Sequence, residues 1–423
     1  MNEALIFYSP DYESDQYKLI ELPPEVAKMY DDTRVQEATE LPSLCIKAAS
    51  YDKEPVLCTR NRTFVMRKQH YSDALLLLAP SIVDIDQPRH TNGDDMDIDE
   101  NNNNDHQIKK RDGSPCSRKL EIIDTLGYLC ELTLSVPKIE QLDELLSTTL
   151  YRGQEYERNY ITDKMKFYTF EELEDIVQAS TEELKHSLKK RNALEIEGHW
   201  RYIDSEYMSE VVKPCIMFAD VYDMDIDHVS LMELCDIGKQ YDFPDFIVKH
   251  VFTCLSESID FVNESNSPIF KLSKEKIVQL FGTQLLRNNE KNNVNTTLTE
   301  FLEEWRKEIP IEHPVSFDLI SDNVIIVKNS SSNGPQEEIV KYFPVSGLSS
   351  DPILRFDQLF LAKSVWREDH IRPFLVDFCL DFDNKFSLKR YNELIMKFTT
   401  ILYVEGKIYR ENGFIFYVSR WPH

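Results

Sequence analysis

Glycine is scarce in this sequence, with 11 glycines among 423 residues. The scarcity matters because loops that cradle a phosphate need glycines at fixed spacing, and neither GxxxxGK followed by Ser or Thr nor GxGxxG occurs. The zinc-protease motif HExxH is also absent, and the ten histidines are isolated. No Ser-His-Asp or Cys-His set can be selected from spacing alone. We therefore expect a protein that is not an enzyme and that holds no cofactor or metal.

Positive charge is also in deficit, because the formal net charge is −26 and the isoelectric point is near 4.8. Such a chain does not coat nucleic acid as a whole, although a local basic face is compatible with this total. The eight cysteines are scattered and none are paired at the spacing of zinc ligands. They indicate reduced thiols in an intracellular protein.

Long hydrophobic runs are missing as well. The longest, residues 74–80, is too short to span a bilayer. The first residues lack the basic and apolar regions of a signal peptide. We expect a soluble intracellular protein.

Residues 1–137 are predicted to form a β-barrel-like domain that binds partners, because short apolar runs alternate with turn residues such as Asn61 and the group 71–73. The run 74–78 is apolar on both faces, so this strand should be covered on both sides. Few strands flank the apolar runs, and an open edge would invite a strand from a partner. A complete small barrel is the alternative interpretation. The residues predicted to bind a partner are Val65, Met66, Leu75, Leu76, Leu77 and Leu78.

Residues 87–117 interrupt this domain with an acidic cluster and an asparagine tract. Such a composition cannot bury apolar surface, which predicts a disordered insertion. The stretch DDMDIDENNNND lacks the central glycine and the terminal glutamate of a calcium loop, so a solvated acidic loop is the better interpretation.

Residues 168–204 have the pattern of a winged helix, which consists of two helices joined by a tight turn and a following β-hairpin. Thr169 with Glu172 and Ser180 with Glu183 have the spacing of capping boxes that begin helices. The alternation of apolar and polar residues around Gly198 then predicts the hairpin. Similar element orders recur, so we expect an α+β protein in which a β-barrel-like domain is followed by three tandem winged-helix domains, at 138–226, 227–350 and 351–423.

The last block, 351–423, is more basic than the rest of the chain, with eleven Lys and Arg against ten Asp and Glu. A winged helix can place such side chains on phosphates through its second helix and its wing. From charge alone, a solvated face on a protein-binding domain is the favoured alternative. The residues predicted to bind DNA are Lys389, Arg390, Lys397, Lys407, Arg410 and Arg420.

The first winged helix is predicted to contact protein instead of DNA. Its presumed recognition helix carries glutamates as well as lysines, and its wing adds Glu195 and Glu197. Carboxylates on a wing repel phosphates.

Six stretches spread over nearly the whole chain resemble the Dcc-type sister chromatid cohesion protein family. They are YKLIELPPE (17–25), VLCTRNRTFVMRKQHYSDALLLL (56–78), ALEIEGHWRYID (193–204), FLEEWRKEIP (301–310), RFDQLFLAKSVWREDHIRPFL (355–375) and LIMKF (394–398). One departure weakens the expected DNA contact: in relatives basic residues tend to follow the pair that matches Lys397-Phe398, whereas residues 399–402 here are Thr, Thr, Ile and Leu.

The resemblance implies a non-ATPase subunit of the alternative, cohesion-associated replication factor C clamp loader. In that family the N-terminal part joins a small partner subunit and the C-terminal tail of the large loader subunit in a shared β-barrel assembly. This assembly and the first winged helix dock the leading-strand polymerase epsilon, and the C-terminal winged helices are associated with DNA. The resemblance also implies a nuclear location and an indirect relation to the sliding clamp PCNA.

Two other functional classes fit parts of the sequence. One is a transcription or chromatin factor whose tandem winged helices read DNA sequence, which the acidic charge disfavours. The other is a protein-interaction module of an unrelated complex, such as a degradation or sorting complex.

Overall fold

The computed structural model shows a protein of mixed α and β structure, with thirteen α-helices and several small sheets among the described residues. The insertion predicted at 87–117 lies outside those residues. The structure describes residues 4–35, 44–48, 54–80, 118–160, 165–221, 225–261, 268–329, 337–381, 383–404, 407–411 and 413–420.

The chain divides into two compact units. We call Met1–Asp32 with Met66–Thr133 the N-terminal unit, and Thr33–Val65 with Leu134–His423 the C-terminal unit. This division differs from the boundary predicted at residue 137, because residues 33–65 cluster with the helical part of the chain. The elements of the first third of the chain are β1 (Ala4–Tyr8), β2 (Ile20–Glu21), α1 (Pro24–Val35), β3 (Cys45–Lys47), β4 (Val56–Cys58), β5 (Thr63–Pro80) and β6 (Arg118–Leu134).

The N-terminal unit is built on the long strands β5 and β6. Strand β6 has β5 on one edge and the parallel strands β1 and β2 on the other. The turn predicted at residues 71–73 is wrong, because the backbone stays extended through all 18 residues of β5. No closed barrel forms among the described residues, and the sheet is open.

The C-terminal unit contains four successive groups of elements, which we call repeats 1 to 4. Repeat 1 consists of α2 (Glu140–Leu146), α3 (Gln154–Tyr160), α4 (Phe170–Ile176), α5 (Thr181–Lys190), β7 (Ala193–Ile196) and β8 (His199–Tyr202). Repeat 2 consists of α6 (Ser205–Val221), β9 (Val229–Ser230), α7 (Leu231–Lys239), α8 (Asp245–Leu255), β10 (Ser256–Phe261) and β11 (Pro268–Leu272).

The remaining elements make up the other two repeats. Repeat 3 consists of α9 (Lys274–Lys291), β12 (Thr296–Thr297), α10 (Leu298–Glu308), the 3-10 helix Phe317–Ile320, β13 (Val324–Asn329) and β14 (Glu337–Tyr342). Repeat 4 consists of α11 (Pro352–Ala362), β15 (Val365–Arg367), α12 (Glu368–Ile371), the 3-10 helix Arg372–Cys379, α13 (Leu388–Phe398), β16 (Thr399–Ile401), β17 (Tyr403–Val404), β18 (Lys407–Ile408), β19 (Arg410–Glu411) and β20 (Phe414–Ser419).

All four repeats share one strand connectivity. In repeats 2, 3 and 4 a short strand before the second helix pairs antiparallel with the last strand of the hairpin: β9 with β11, β12 with β14, and β15 with β20. In repeat 1 a single antiparallel bridge from Tyr168 to Trp200 takes the place of that first strand. The structure therefore contains four groups that share this strand connectivity, whereas three winged-helix domains were predicted. The predicted block 227–350 holds repeat 3 and all of repeat 2 except α6, because the hairpin β10–β11 was not foreseen.

A shared capping pattern explains where the helix that follows the first strand or bridge of each repeat begins; these helices are α4, α7, α10 and α12. Thr169, Ser230 and Thr297 directly follow or end the short strand, and each forms a capping box with the glutamate three residues later. The side chain four residues after each cap is fully buried, as Leu173, Leu234 and Phe301 respectively. In repeat 4, Arg367 stands at the cap without a side-chain hydrogen bond, and Ile371 takes the buried position.

The hairpins of repeats 1 and 3 lie between two hydrophobic cores. In β7, Ala193 belongs to the core of repeat 1, whereas the adjacent Leu194 belongs to the core of repeats 2 and 3. In β13, Val324 points into the core of repeats 2 and 3, whereas Ile325 points into the core of repeat 4. Successive residues of a strand face opposite sides, so one hairpin joins two repeats.

We expect Gly282→Ala to destabilise the protein, although alanine is the better helix former by about 1 kcal/mol. Gly282 lies in α9, and a Cβ there would stand 2.4 Å from the indole carbons of the fully buried Trp305. That indole donates a hydrogen bond to the carbonyl of Val278 at 2.9 Å and cannot shift freely. Overpacking of this kind costs about 1–3 kcal/mol.

Thermal unfolding of the full chain measures this effect. The control is Gly347→Ala, because the nearest atom to its new Cβ is 3.9 Å away. A melting temperature of Gly282→Ala equal to or above that of the control would show that the close approach of Gly282 to Trp305 does not affect the stability of the fold.

Candidate functional site

The clearest candidate for a binding surface is the edge of β5 that lacks a partner strand among the described residues of the N-terminal unit. Strand β4 pairs only with the first residues of β5, from Thr63 to Val65. From Met66 to Pro80, no strand among the described residues pairs with the edge of β5 that faces away from β6. An edge of this length presents a row of backbone N–H and C=O groups to any strand that can pair with it.

The same strand exposes apolar side chains on both faces. Leu75, Leu76 and Leu78 are 39%, 48% and 38% exposed, and neighbouring residues on a strand point to opposite sides. None of the three hydrophobic clusters formed by the described residues includes a residue of the N-terminal unit. The covering layers predicted for the run 74–78 are therefore not supplied by the described residues.

The structure places the six residues predicted to bind a partner in two different surroundings. Leu75–Leu78 lie together near the end of β5, and Leu77 is half-buried. Val65 and Met66 lie near the beginning of the same strand, where Val65 pairs with Val56 of β4 and both side chains are half-buried. Sequence reasoning missed β1, whose Leu5, Ile6 and Tyr8 are exposed as well.

A second feature is the covered N-terminus of α5, which the sequence predicts to be the recognition helix of repeat 1. The N–H of Ser180 donates to the hydroxyl of Thr63 at 3.0 Å, and this hydroxyl donates to the Glu183 carboxylate at 2.6 Å. The N–H of Glu182 donates to the carbonyl of Arg60 at 3.1 Å. A recognition helix reads DNA with its N-terminal residues, and here the chain itself occupies them.

Strand β3 covers the turn between α4 and α5. The ammonium group of the buried Lys47 donates to the carbonyls of Glu174 and Ala179, at 2.6 and 2.8 Å. The side-chain amide of Gln178 donates in return to the carbonyls of Lys47 and Glu54, at 3.3 and 3.2 Å. Residues 45–48 and 54–65 thus pack against the helix pair of repeat 1.

The third feature is the cationic surface predicted on repeat 4. The side chain of Lys389 at the start of α13 is 86% exposed, and its ammonium group lies 3.9 Å from the carboxylate of Glu393. Arg390 is half-buried and donates to the carbonyl of Leu380 at 2.5 Å, so it serves the fold. Lys397 is exposed at the end of the same helix.

The side chain of Arg420 contacts the backbone of Lys397. Its guanidinium donates to the carbonyl of Lys397 at 3.4 Å, and its side chain is exposed. Lys407 and Arg410 are exposed on the short strands β18 and β19. The structure therefore brings Lys397 and Arg420 together and places Lys407 and Arg410 on the wing.

Several basic residues counted in this block are internal. Arg355 is buried, and its guanidinium contacts both carboxylate oxygens of Asp377 at 2.8 and 2.7 Å and the carbonyl of Ser349 at 2.6 Å. The ammonium group of Lys363 donates to the carbonyl of Ile326 at 2.9 Å, and burial lowers the pKa of Lys363. These two charges cannot meet a phosphate at the surface.

Neither a metal site nor a membrane helix emerges from the described residues. They contain no group of three or more His, Cys, Asp or Glu side chains arranged to hold a metal ion. No helix in the described part of the chain is long and apolar enough to cross a bilayer. Burial raises the pKa of the Cys58 and Cys254 thiols to about 11, so these groups are poor nucleophiles.

Comparison with known proteins assigns the family. The sequence model of the family described as sister chromatid cohesion protein Dcc1 matches residues 17–375. The chain belongs to the Dcc1 family. The predicted resemblance to Dcc-type cohesion proteins is thereby confirmed. The match ends before α13, so all six residues predicted to bind DNA lie outside it.

Individual Dcc1 relatives are distant but extend over most of the chain. The Homo sapiens sister chromatid cohesion protein DCC1 is 26% identical over 362 residues, which cover 85% of this chain and 81% of the human protein. The Dictyostelium discoideum relative, named probable sister chromatid cohesion protein DCC1, is 24% identical over 387 residues and 88% of each chain. The Saccharomyces cerevisiae DCC1 is 22% identical over 375 residues, 87% of this chain and 90% of its own length. These likenesses support a role in sister chromatid cohesion.

We expect Arg355→Leu to cost about 3 kcal/mol of folding stability, because it leaves the carboxylate of Asp377 and buried carbonyls without their donor. The matched control is Lys389→Leu, whose exposed pair with Glu393 contributes at most about 0.5 kcal/mol. Chemical denaturation of both variants measures the difference. Equal losses in the two variants would mean that the buried ion pair does not hold repeat 4 together.

Proposed function

We propose that this chain is a non-enzymatic scaffold and adaptor subunit of an alternative replication factor C clamp loader that acts in sister chromatid cohesion. The observation that carries this proposal is the open, apolar strand β5 of the N-terminal unit. Membership of the Dcc1 family supports the process. In the proposed function the chain works in the nucleus, meets PCNA only indirectly, and needs no cofactor.

The partner of β5 in this proposal is a set of strands from the large and small non-catalytic subunits of the loader. Each leucine taken from water contributes about 1.5–3 kcal/mol when fully buried. Added strands would also satisfy the backbone groups from Met66 to Pro80. A layer on each face of β5 is required, because its exposed leucines point to both sides. Such a shared assembly would complete the β-barrel-like domain that the open sheet begins.

Repeat 1 is assigned to protein contact in this proposal, with the catalytic subunit of polymerase epsilon as the partner. The N-terminus of α5 is covered by Arg60 and Thr63, which speaks against a role in the DNA groove. The hairpins of repeats 1 and 3 are held between cores and are not free wings. Both features disfavour a transcription factor whose tandem winged helices read DNA sequence. They leave open a protein-interaction module of an unrelated complex.

Repeat 4 is assigned to weak DNA binding without sequence preference. Five of the predicted cations are exposed and can neutralise few phosphates: Lys389, Lys397, Lys407, Arg410 and Arg420. The affinity should therefore stay on the order of 10⁻⁴ to 10⁻⁶ M, as for non-specific binding.

The partner assignment is tested by replacing two leucines on one face of β5. We expect Leu76→Arg with Leu78→Arg to lose both loader subunits in affinity purification from dividing cells followed by mass spectrometry. The reason is that a charge cannot be buried in the shared layer without a large cost. The matched control is Val294→Arg with Leu361→Arg, two exposed apolar residues of repeats 3 and 4. Recovery of both subunits by the β5 variant at the control level would refute the assignment.

The DNA assignment is tested by titrating labelled duplex DNA with the full chain at several salt concentrations. We expect Lys397→Ala with Arg420→Ala to weaken binding and to lower the slope of log affinity against log salt by about one unit per charge. The control is Lys213→Ala with Lys239→Ala, which removes two exposed lysines from repeat 2. If the variant and the native chain show the same affinity and slope, these cations are a solvated face.

A further inference from the structure

The wing of repeat 4 carries an exposed aromatic ring that the hydrophobic core does not use. Tyr403 is 55% exposed on β17 and stands directly opposite Ile408 of β18, which is 40% exposed. Residues directly opposite in an antiparallel pair have their side chains on the same face, within contact distance. The two side chains thus form one small apolar platform. The other tyrosines of this wing behave differently, since Tyr417 is buried and the ring of Tyr409 packs on Phe416 at 5.1 Å.

Cations flank this platform. Lys407 precedes Ile408 and pairs with Val404, and Arg410 begins the next short strand. Both side chains are exposed. The segment 403–420 also contains Glu405 and Glu411, so its formal charge is +1. An exposed ring beside positive charge is the arrangement with which proteins hold unpaired nucleotides, because the base stacks on the ring and the cations follow the backbone.

The neighbouring helix presents a mixed surface to DNA. The exposed face of α13 carries Lys389, Asn392 and Lys397, which are residue types that contact a duplex. The same face carries the apolar side chains of Leu388 and Met396, 60% and 62% exposed, and the carboxylate of Glu393. Both aromatic rings of this helix, Tyr391 and Phe398, are buried, so the exposed ring of repeat 4 that stands beside cations is on the wing.

We propose that Tyr403 is a stacking platform for an unpaired base, so that repeat 4 binds single-stranded DNA more tightly than duplex DNA. This inference rests on the DNA binding assigned to repeat 4 above and names the form of DNA that the surface prefers. In a duplex the faces of the bases are already stacked on one another, and the ring of Tyr403 could add little. In a single strand the base faces are free, and stacking tolerates any base.

The experiment compares a labelled oligothymidine with a duplex of the same length, each titrated with the full chain. Tyr403→Ala should weaken binding of the single strand roughly 5- to 150-fold, the ratio expected from the loss of one base–aromatic stack. The affinity for the duplex should change by less than about two-fold, because no base face is free there to stack. Tyr403→Phe should keep the single-strand affinity of the native chain, because the ring and not the hydroxyl carries the contact. Thermal unfolding checks that both variants keep the native fold.

The controls separate this inference from the function on which it rests. If the native chain binds both forms equally, and Tyr403→Ala changes both alike or neither, the stacking platform is wrong. Loss of both forms on Lys397→Ala with Arg420→Ala would in that case keep the general DNA assignment intact. If the native chain retains neither form of DNA, the DNA assignment itself fails and the platform of Tyr403 and Ile408 is not a nucleic-acid surface.

Discussion

A β-strand that carries apolar side chains on both faces needs a packing layer on each side, and this requirement organises the described structure. Within the C-terminal unit the requirement is met internally. Ala193 and Leu194 of β7 serve two cores, and so do Val324 and Ile325 of β13. In the N-terminal unit Leu75–Leu78 also need a packing layer on each face, and the described residues do not provide these layers. The same packing requirement that joins the repeats is therefore the physical basis of the association proposed for β5.

Local sequence signals predicted where helices begin more accurately than they predicted the number of repeats. The capping boxes at Thr169 and Ser180 were recognised and are present in the structure. The same signature at Ser230 and Thr297 marks the second helices of repeats 2 and 3, and it could have shown that the middle block holds two units. The intervening hairpin was missed because β10 reads Ser-Glu-Ser-Ile-Asp-Phe, which has little apolar alternation. Its position is set by pairing with β11 and not by its own propensity.

At the candidate sites, too, the sequence predicts some properties, whereas the exposure of individual side chains depends on how the chain packs. The sequence shows that residues 74–78 are apolar on both faces, but the turn predicted from the polar residues 71–73 is wrong because the strand continues through them. Arg355, Lys363 and Lys397 contribute the same charge to the segment 351–423, but the fold buries Arg355 against a carboxylate and half-buries Lys363 against a carbonyl. Burial is a property of the assembled core, so composition cannot reveal which cations remain at the surface.

The path of the chain between the two units bears on the order of folding. The chain leaves the N-terminal unit after Asp32, returns to it at Met66, and leaves it again after Thr133. Lys47 and Thr63 are made early on the ribosome, but their partners Ala179 and Ser180 emerge more than a hundred residues later. Domains usually fold in the order of synthesis, and here residues 45–65 must wait for the helices of repeat 1. For the same reason no single proteolytic cut can separate the two units, and a fragment that starts at residue 138 would leave the turn between α4 and α5 without its cover.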